Sequence, residues 1–321
     1  MRWWIFVLLI SGIAAAATNF PSVTAAHVST TETATAGHWR RLSEPHALAP
    51  CRGAIYYEFG LPNGSRAHLV VVDVRGGNWR IRPAVSEPTT QPTSVQATQA
   101  HAGAATNGGY FNLHDGGHST SYVFLDGKMV ADPTTNTALL QNPKLKPFLE
   151  RILNRSEVRF MRTANGKTAI EITRHETPVP AGMHLVDSLQ AGPQLLPTVE
   201  AVDEAFIRTS PQGEDVDSIS ARKQKARTAF GVTNDGYALM LCVAGEGQDP
   251  ESSGITLEEL AALLRRLGCV QALNLDGGAS TTMYVKLADA AGSEAAGKVV
   301  CGKNPETLVK SVLLLEPSGR L

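Results

Sequence analysis

The sequence TLEELAALLRRLGCVQALNLDGGASTT, residues 256–282, predicts a helix, a strand and a turn in that order. Thr256 with Glu259 forms the pattern of a capping box, and leucine and alanine side chains then recur at helical spacing. Gly268 follows where a glycine commonly ends a helix. Residues 270–275 are a short apolar run of the kind found in buried strands.

The turn after this strand carries the side chains best suited to chemistry. Asp276 follows the strand directly, and Gly277, Gly278, Ser280 and Thr281 come soon after it. Consecutive glycines let backbone amides converge on an anion such as a phosphate oxygen, and strand ends are where α/β scaffolds present chemistry. We therefore interpret Asp276 as an active-site carboxylate beside an anion-binding turn. The alternative is a turn aspartate that only caps backbone amides.

A second glycine-paired turn lies far upstream. It contains Asn107, Gly108, Gly109 and Tyr110, and a third segment, AGPQL, contains Gln194. A glycine pair alone is most often a simple turn, so each of these segments is weak when taken singly. We predict that they contribute substrate-binding residues together with the Asp276 turn.

Arg227 is the candidate cation for an anionic substrate. It precedes a predicted strand, and its planar guanidinium suits a phosphodiester, whereas Lys223 and Lys225 resemble ordinary solvated charges. The alternative is a structural arginine held in a salt bridge.

Taken in order, these segments resemble the phosphodiester glycosidase family. The matching text lies at residues 107–111, 192–195, 227–231, 254–260 and 274–282. The resemblance implies an α/β (α+β) single domain with a central, mostly antiparallel mixed sheet flanked by helices. It also implies hydrolysis of the bond between an anomeric carbon and a phosphate oxygen.

Two positions depart from the family pattern. Ala279 stands where a third glycine is common, and Ala244-Gly245-Glu246 stands where Asp-Gly-Arg is frequent.

Glycosidases normally use two carboxyl groups, but a phosphate leaving group needs charge stabilisation more than protonation. We expect Asp276 to act as nucleophile or base and Glu246 as the second carboxylate. Arg227 and the glycine amides are expected to hold the phosphate, and Tyr110 to line the sugar subsite.

Composition limits the partners. The chain has 321 residues with 43% hydrophobic content, which suffices for a globular core. Its formal net charge of -1 provides no global field for nucleic acid, so an anionic substrate must be bound locally. We predict a glycan or sugar-phosphate substrate. The alternatives are a non-catalytic envelope protein that binds glycan or phosphorylated polysaccharide, and a phosphodiesterase that cleaves a phosphorus–oxygen bond.

A metal site is suggested by His114 and His118 around Asp115. The glycines between them favour a loop, whereas such spacing suits metal binding on a helix. We therefore predict no cofactor, and leave a divalent cation such as Ca²⁺ as the open alternative.

The N terminus resembles a signal peptide. Arg2 precedes an apolar run that ends at Ala17, and small residues allow cleavage after Ala17 or Ala26. An uncleaved anchor is the alternative, and no second apolar stretch reaches spanning length. We expect a mature protein without a membrane span, secreted or periplasmic. The predicted organisation is a signal peptide at 1–26, a flexible linker at 27–50 and one domain at 51–321.

Export places the four cysteines in an oxidising compartment. Cys51, Cys242, Cys269 and Cys301 allow three full pairings, which the sequence does not distinguish. Buried free thiols at Cys242 and Cys269 are the alternative.

Short runs punctuated by Gly, Asn and Asp predict further strands. We predict them at residues 54–59, 67–74, 121–125, 158–161, 168–173, 229–232 and 238–243. Residues 97–105 predict a short helix. Residues 199–225 are polar without a steady period and predict a long surface loop, either a lid or a tolerated insertion.

Overall fold

The structure, a computed structural model, describes residues 39–112, 117–288 and 296–319. The strands in the first half of the described chain are β1 Arg40–Arg41, β2 His46–Ala47, β3 Ala54–Gly60, β4 Arg66–Asp73, β5 Trp79–Val85, β6 Gln91–Pro92, β7 Ala104–Asn107, β8 Val123–Leu125, β9 Lys128–Ala131, β10 Ser156–Thr163 and β11 Thr168–Arg174. Those in the second half are β12 Met183–Gln190, β13 Gln194–Leu196, β14 Ile207–Thr209, β15 Asp215–Asp217, β16 Arg227–Thr233, β17 Tyr237–Val243, β18 Cys269–Asn274, β19 Met283–Val285, β20 Lys298–Cys301, β21 Leu308–Val309 and β22 Ser311–Pro317. The helices are α1 Thr93–Gln99, α2 Thr137–Leu140, α3 Leu149–Leu153 and α4 Leu257–Arg266.

One large sheet organises the molecule. Its order is β1-β3-β4-β17-β16-β18-β13, and β2 also pairs with β3. Two five-stranded sheets have the orders β11-β10-β12-β8-β9 and β20-β19-β7-β22-β5. Two small ribbons, β14-β15 and β21-β6, complete the set among the described residues. Within the same part of the chain, every pairing of named strands is antiparallel.

The sheets pack in layers because the central strands are apolar on both faces. Along β4 and β17 the side chains pointing either way are buried. One face of the large sheet packs on the five-stranded sheets, through residues such as Val70, Phe230, Phe160 and Leu313. The opposite face packs on α4, and α1 covers the outer side of the sheet that contains β7 and β22.

Helix α4 confirms the opening prediction. The Thr256 hydroxyl accepts the N–H of Glu259 at 3.2 Å, and a Glu259 carboxylate oxygen accepts the N–H of Thr256 at 2.8 Å. Leu260 and Leu264 are fully buried, which contributes about 1.5–3 kcal/mol for each side chain. Gly268 has φ +86°, as expected for a glycine that ends a helix.

The fold class is confirmed only in part. The sheets are mostly antiparallel as expected, but there are several of them, and a single helix-flanked sheet is wrong. The physical reason is that most strands are covered by another sheet and few by a helix. The hydrophobic pattern of a strand shows that its faces are buried without showing what buries them.

Most strand predictions are confirmed within two residues at each end, including the β3–β4 hairpin. Residues 97–105 are wrong as one helix, because α1 ends at Gln99 and β7 begins at Ala104. The segment 199–225 holds the β14–β15 ribbon and a buried part around Glu204, so it is more than a surface loop. Strands β1 and β2 pair with β3, so residues 40–47 of the predicted linker belong to the fold.

Some predictions fall on other residues. The signal peptide at 1–26, the linker up to residue 38, His114 and Asp115 lie outside the described residues. Within the described residues, no helix combines the length and apolar character needed to cross a membrane.

Candidate active site

The turn that follows β18 is held against the turn that follows β7. The backbone N–H of Asp276 donates to the carbonyl of Gly108 at 2.9 Å, and Asn107 Nδ2 donates to the carbonyl of Asp276 at 2.5 Å. Strand β18 belongs to the large sheet and β7 to a five-stranded one, so these bonds join two sheets. The two glycine-paired turns therefore lie together, as a shared site requires.

Asn107 organises this junction from a fully buried position. Its Oδ1 accepts a hydrogen bond from Thr228 Oγ1 at 2.7 Å and another from the backbone N–H of Thr282 at 3.1 Å. Since its Nδ2 also donates to the Asp276 carbonyl, the polar atoms of the side chain all bind neighbouring protein groups and connect the two turns. The structure gives Asn107 a positioning role where a direct substrate contact was predicted.

Gly108 and Gly109 are explained by close packing. Their N–H groups donate to the carbonyl and hydroxyl oxygens of Ser311, at 2.8 and 3.0 Å respectively. A Cβ on Gly109 would lie 2.4 Å from the carbonyl oxygen of Gln190, and one on Gly108 would lie 2.6 Å from Ser311 Oγ. Both amides that were predicted to bind phosphate thus already have acceptors.

The second glycine pair is engaged in the same way. Gly277 donates to Asp276 Oδ1 and Gly278 donates to the carbonyl of Ala226, each at 2.9 Å. From the other side, Gln248 Nε2 donates to the carbonyls of Gly278 at 3.0 Å and of Thr281 at 2.8 Å. Sequence reasoning missed Gln248, which carries no motif. A phosphate at this site therefore needs donors other than these amides.

Asp276 is partly exposed, and its carboxyl group is a weaker acid than an ordinary aspartate. Burial raises the pKa of its carboxyl group to about 6, although hydrogen bonds from Ser280 and from the Gly277 amide act in the opposite direction. The group therefore exchanges a proton near neutral pH, as general acid–base catalysis requires. The contact of Ser280 is with this carboxylate, and the Thr281 side chain is fully buried.

Tyr110 lies beside the carboxylate as a neutral phenol. Its hydroxyl donates to the carbonyl of Gly192 at 2.9 Å, and Asn274 Nδ2 donates to that hydroxyl at the same distance. Burial, followed by the negative charge of Asp276, raises the pKa of Tyr110. Its ring lies 5.3 Å from the ring of Phe206, which leaves it as a wall of the site.

Arg227 is buried and its donors are occupied. Nε donates to the carbonyl of Ile255 at 2.9 Å and Nη1 to that of Ile219 at 3.0 Å. Nη2 donates to the carbonyls of Ser220 and Lys223, at 2.6 and 2.9 Å. Four of its five N–H groups thus hold backbone, so the geometry favours a structural arginine, through carbonyls in place of the salt bridge that the sequence suggested.

The remaining candidates lie at the edge of the site. Glu246 is exposed on the turn that also carries Gln248, and that turn is bound to residues 278 and 281. Gln194 is half-buried, and its backbone N–H donates to Glu204 Oε1 at 2.7 Å. Neither side chain forms a hydrogen bond with Asp276 among the described residues.

Sequence reasoning missed three buried residues around Tyr110. Arg155 begins the segment that leads into β10, while Glu204 and Phe206 lie in the 199–225 segment. The guanidinium carbon of Arg155 lies 3.6 Å from the Phe206 ring centroid and 5.9 Å from that of Tyr110. An acidic residue followed by alanine and phenylalanine inside a polar segment was the one available signal for burial there.

Fold and site together define a domain of layered antiparallel sheets with a carboxylate of raised pKa where two sheets meet. A sequence model described as phosphodiester glycosidase matches residues 100–315. The chain belongs to the phosphodiester glycosidase family and is a glycosidase-type hydrolase. A search of curated proteins returned no match.

Solved structures share the fold at low identity. The zebrafish N-acetylglucosamine-1-phosphodiester alpha-N-acetylglucosaminidase catalytic domain, auto-inhibited by its pro-peptide, has TM-score 0.52 and 17% identity, over 90% of this chain and 86% of that one. A Burkholderia pseudomallei K96243 protein, named as a candidate exported protein, has TM-score 0.55 and 16% identity, over 85% and 76%. A hypothetical protein from Synechocystis has TM-score 0.52 and 16% identity over 82% of this chain, which spans 62% of that protein.

Proposed function

We propose that the protein is an exported hydrolase that cleaves the glycosidic bond of a sugar-1-phosphodiester and releases free sugar and a phosphomonoester. The observation that carries this proposal is Asp276, a partly exposed carboxyl group with a pKa near 6 at the junction of the glycine-rich turns. Membership of the phosphodiester glycosidase family supports the identity of the bond that is cleaved.

The proposed reaction transfers the sugar to water. A water oxygen becomes bonded to the anomeric carbon, the bond from that carbon to the phosphate oxygen breaks, and its electron pair stays on the phosphate. Asp276 either accepts the water proton as a base or first forms a glycosyl ester that water hydrolyses. Because the phosphate leaves as a stable anion, one carboxyl group with charge stabilisation suffices for departure.

Glu246 is the proposed second carboxylate. This proposal is supported by its exposed turn, which also carries Gln248, and Gln248 is bound to residues 278 and 281. Glu204 is less suited to proton transfer with substrate, because it is fully buried and its two oxygens accept bonds from Ser156 and Gln194.

The test compares the wild type with Asp276→Asn on a panel of sugar-1-phosphodiesters, following free sugar and phosphomonoester by NMR. We expect the variant to lose at least 100-fold in rate, since the amide cannot take a proton. Asp203→Asn is the matched control, because that carboxylate is exposed and belongs to no part of the site.

The same panel separates the alternatives. Binding without turnover by the wild type would favour a non-catalytic protein that binds glycan or phosphorylated polysaccharide. Release of a sugar phosphate would indicate cleavage of the phosphorus–oxygen bond, and equal activity of Asp276→Asn would remove Asp276 from the mechanism.

Cofactor and location are further parts of the proposal. We propose that turnover needs no metal, and retention of activity after EDTA treatment tests this, with Ca²⁺ addition as the comparison.

We also propose a secreted or periplasmic protein, which the name of the Burkholderia relative supports. N-terminal sequencing of the mature protein tests export, and a new terminus after Ala17 or Ala26 is expected.

A further inference from the structure

Arg155 is a buried cation that makes no direct contact with a carboxylate among the described residues. Its residue is 9% exposed, and its Nε donates to the backbone carbonyl of Glu204 at 3.0 Å. Among the described residues, neither Nη1 nor Nη2 of Arg155 forms a hydrogen bond, and no carboxylate oxygen lies within 4.0 Å of the guanidinium. Buried charges in proteins are normally paired through direct contacts, so the terminal nitrogens of this guanidinium still have room for an anionic partner.

The charge is retained and held in place. Burial lowers the pKa of Arg155 to about 10, which still leaves the guanidinium protonated at neutral pH. Phe206 supports it face-on at 3.6 Å, and such cation–π contacts fix a planar guanidinium. Since Nε is bound to Glu204, the two terminal nitrogens at the opposite end retain four N–H donors in a fork.

The neighbouring carboxylate does not neutralise this fork. Glu204 accepts the N–H and hydroxyl of Ser156 at 3.1 and 2.7 Å, and the N–H of Gln194 at 2.7 Å. Burial raises the pKa of Glu204 against the effect of these hydrogen bonds, and its charge acts on Arg155 without a contact to the terminal nitrogens. The Arg155 donors are therefore available to a ligand.

Arg155 also lies near Tyr110, which forms a wall of the proposed active site. Its guanidinium carbon is 5.9 Å from the Tyr110 ring centroid. The negative charge of Asp276 raises the pKa of Tyr110, and the positive charge of Arg155 lowers it. Arg227 differs from Arg155 in its free donors, because its guanidinium donates four N–H groups to backbone carbonyls.

We propose that Arg155 binds the phosphate group of the substrate, with its terminal nitrogens donating to two non-bridging oxygens. This inference rests on the proposed function for the identity of the substrate, and on the unpaired guanidinium for the position. It makes Arg155 the residue that distinguishes a phosphodiester from a neutral glycoside, because a bidentate arginine–phosphate contact is strong and directional.

The experiment uses the full chain, with Arg155→Gln and Arg155→Lys as test variants. Arg208→Gln is the matched control, because Arg208 is a nearby half-buried arginine that stands over Phe148 and donates to the carbonyl of Ala205. Two quantities are measured: the affinity for inorganic phosphate by calorimetry, and kcat/KM for a sugar-1-phosphodiester and for the aryl glycoside of the same sugar.

We expect Arg155→Gln to weaken phosphate binding at least 10-fold and to lower kcat/KM for the diester at least 100-fold, with less than 5-fold loss on the aryl glycoside. Arg155→Lys should recover part of the phosphate affinity, and Arg208→Gln should match the wild type. Equal losses on both substrates, or phosphate affinity unchanged in Arg155→Gln, would overturn the proposal. If Arg155→Gln does not fold, the lysine variant decides, since wild-type phosphate affinity in it would also overturn the proposal.

The phosphate measurement separates this inference from the proposed function. A wild-type protein that binds phosphate through Arg155 without hydrolysing any diester would contradict the proposed hydrolysis alone. A wild-type protein that hydrolyses the diester with no dependence on Arg155 would contradict this inference alone.

Discussion

At the scale of single residues, Asp276 has to be ionised to act and is placed where ionisation is costly. Burial raises the pKa of its carboxyl group to about 6, from an ordinary value of 3.8. As base or nucleophile it must be deprotonated, so kcat/KM should rise about tenfold per pH unit below pH 6 and level off above it. A pH–rate profile of the diester reaction checks this, and a profile flat between pH 4.5 and 7 would exclude Asp276 as the titrating group.

The same shift has a consequence for stability. A carboxyl group whose pKa is raised on folding binds a proton more tightly in the folded state, so the free energy of unfolding falls as pH rises from about 4 to 6. Above pH 6 the full cost, about 3 kcal/mol by this shift, is present. We expect Asp276→Asn to be more stable than the wild type by about 1–3 kcal/mol at pH 7.5 and by much less at pH 4. Urea unfolding at both pH values measures the difference, and an equal effect at the two would contradict it.

At the scale of secondary-structure elements, Arg227 at the start of β16 fixes the loop from Ile219 to Lys223 and the segment before α4. We expect Arg227→Lys to destabilise the fold by about 2–4 kcal/mol, because a lysine cannot satisfy four carbonyls in a plane. Phosphate affinity should stay within twofold of the wild type. Thermal unfolding measures the change in stability, and calorimetry measures the phosphate affinity. Loss of phosphate binding by a folded Arg227→Lys variant would indicate that Arg227 binds phosphate.

Elements with local signals were the ones that sequence could predict. The capping box, the apolar period of α4 and Gly268 all act within a few residues, and the structure confirms them. The meeting of Asn107 with Asp276 joins positions far apart in the chain, and there the resemblance to a family supplied what local patterns do not. Arg155 and Glu204 were missed because burial of a charged side chain follows from tertiary contacts, which leave no period in the sequence.

At the scale of the whole molecule, the site depends on the sheets keeping their relative positions. Two buried thiols lie close together in the core between the sheets: Cys242 on β17 of the large sheet raises the pKa of Cys301 on β20 of a five-stranded sheet. The described residues contain all four cysteines, and no disulfide is formed among them. Cys242 Sγ also lies 3.6 Å from the carbonyl of Thr282 and 3.7 Å from Thr228 Oγ1, directly behind the bonds that hold Asn107.

Among the three full pairings that the sequence leaves open, this proximity favours the one that contains Cys242–Cys301. We expect these two thiols to form a disulfide when the protein matures in an oxidising compartment, giving two electrons and two protons to a disulfide-bearing oxidoreductase. Closing a loop of about 60 residues should stabilise the fold by about 4 kcal/mol if the bond is unstrained. Peptide mapping without reduction identifies the pair, and Cys269→Ser is the control that should leave it intact. A disulfide between Cys51 and either thiol, or two free thiols at 242 and 301 after maturation in an oxidising compartment, would contradict this prediction.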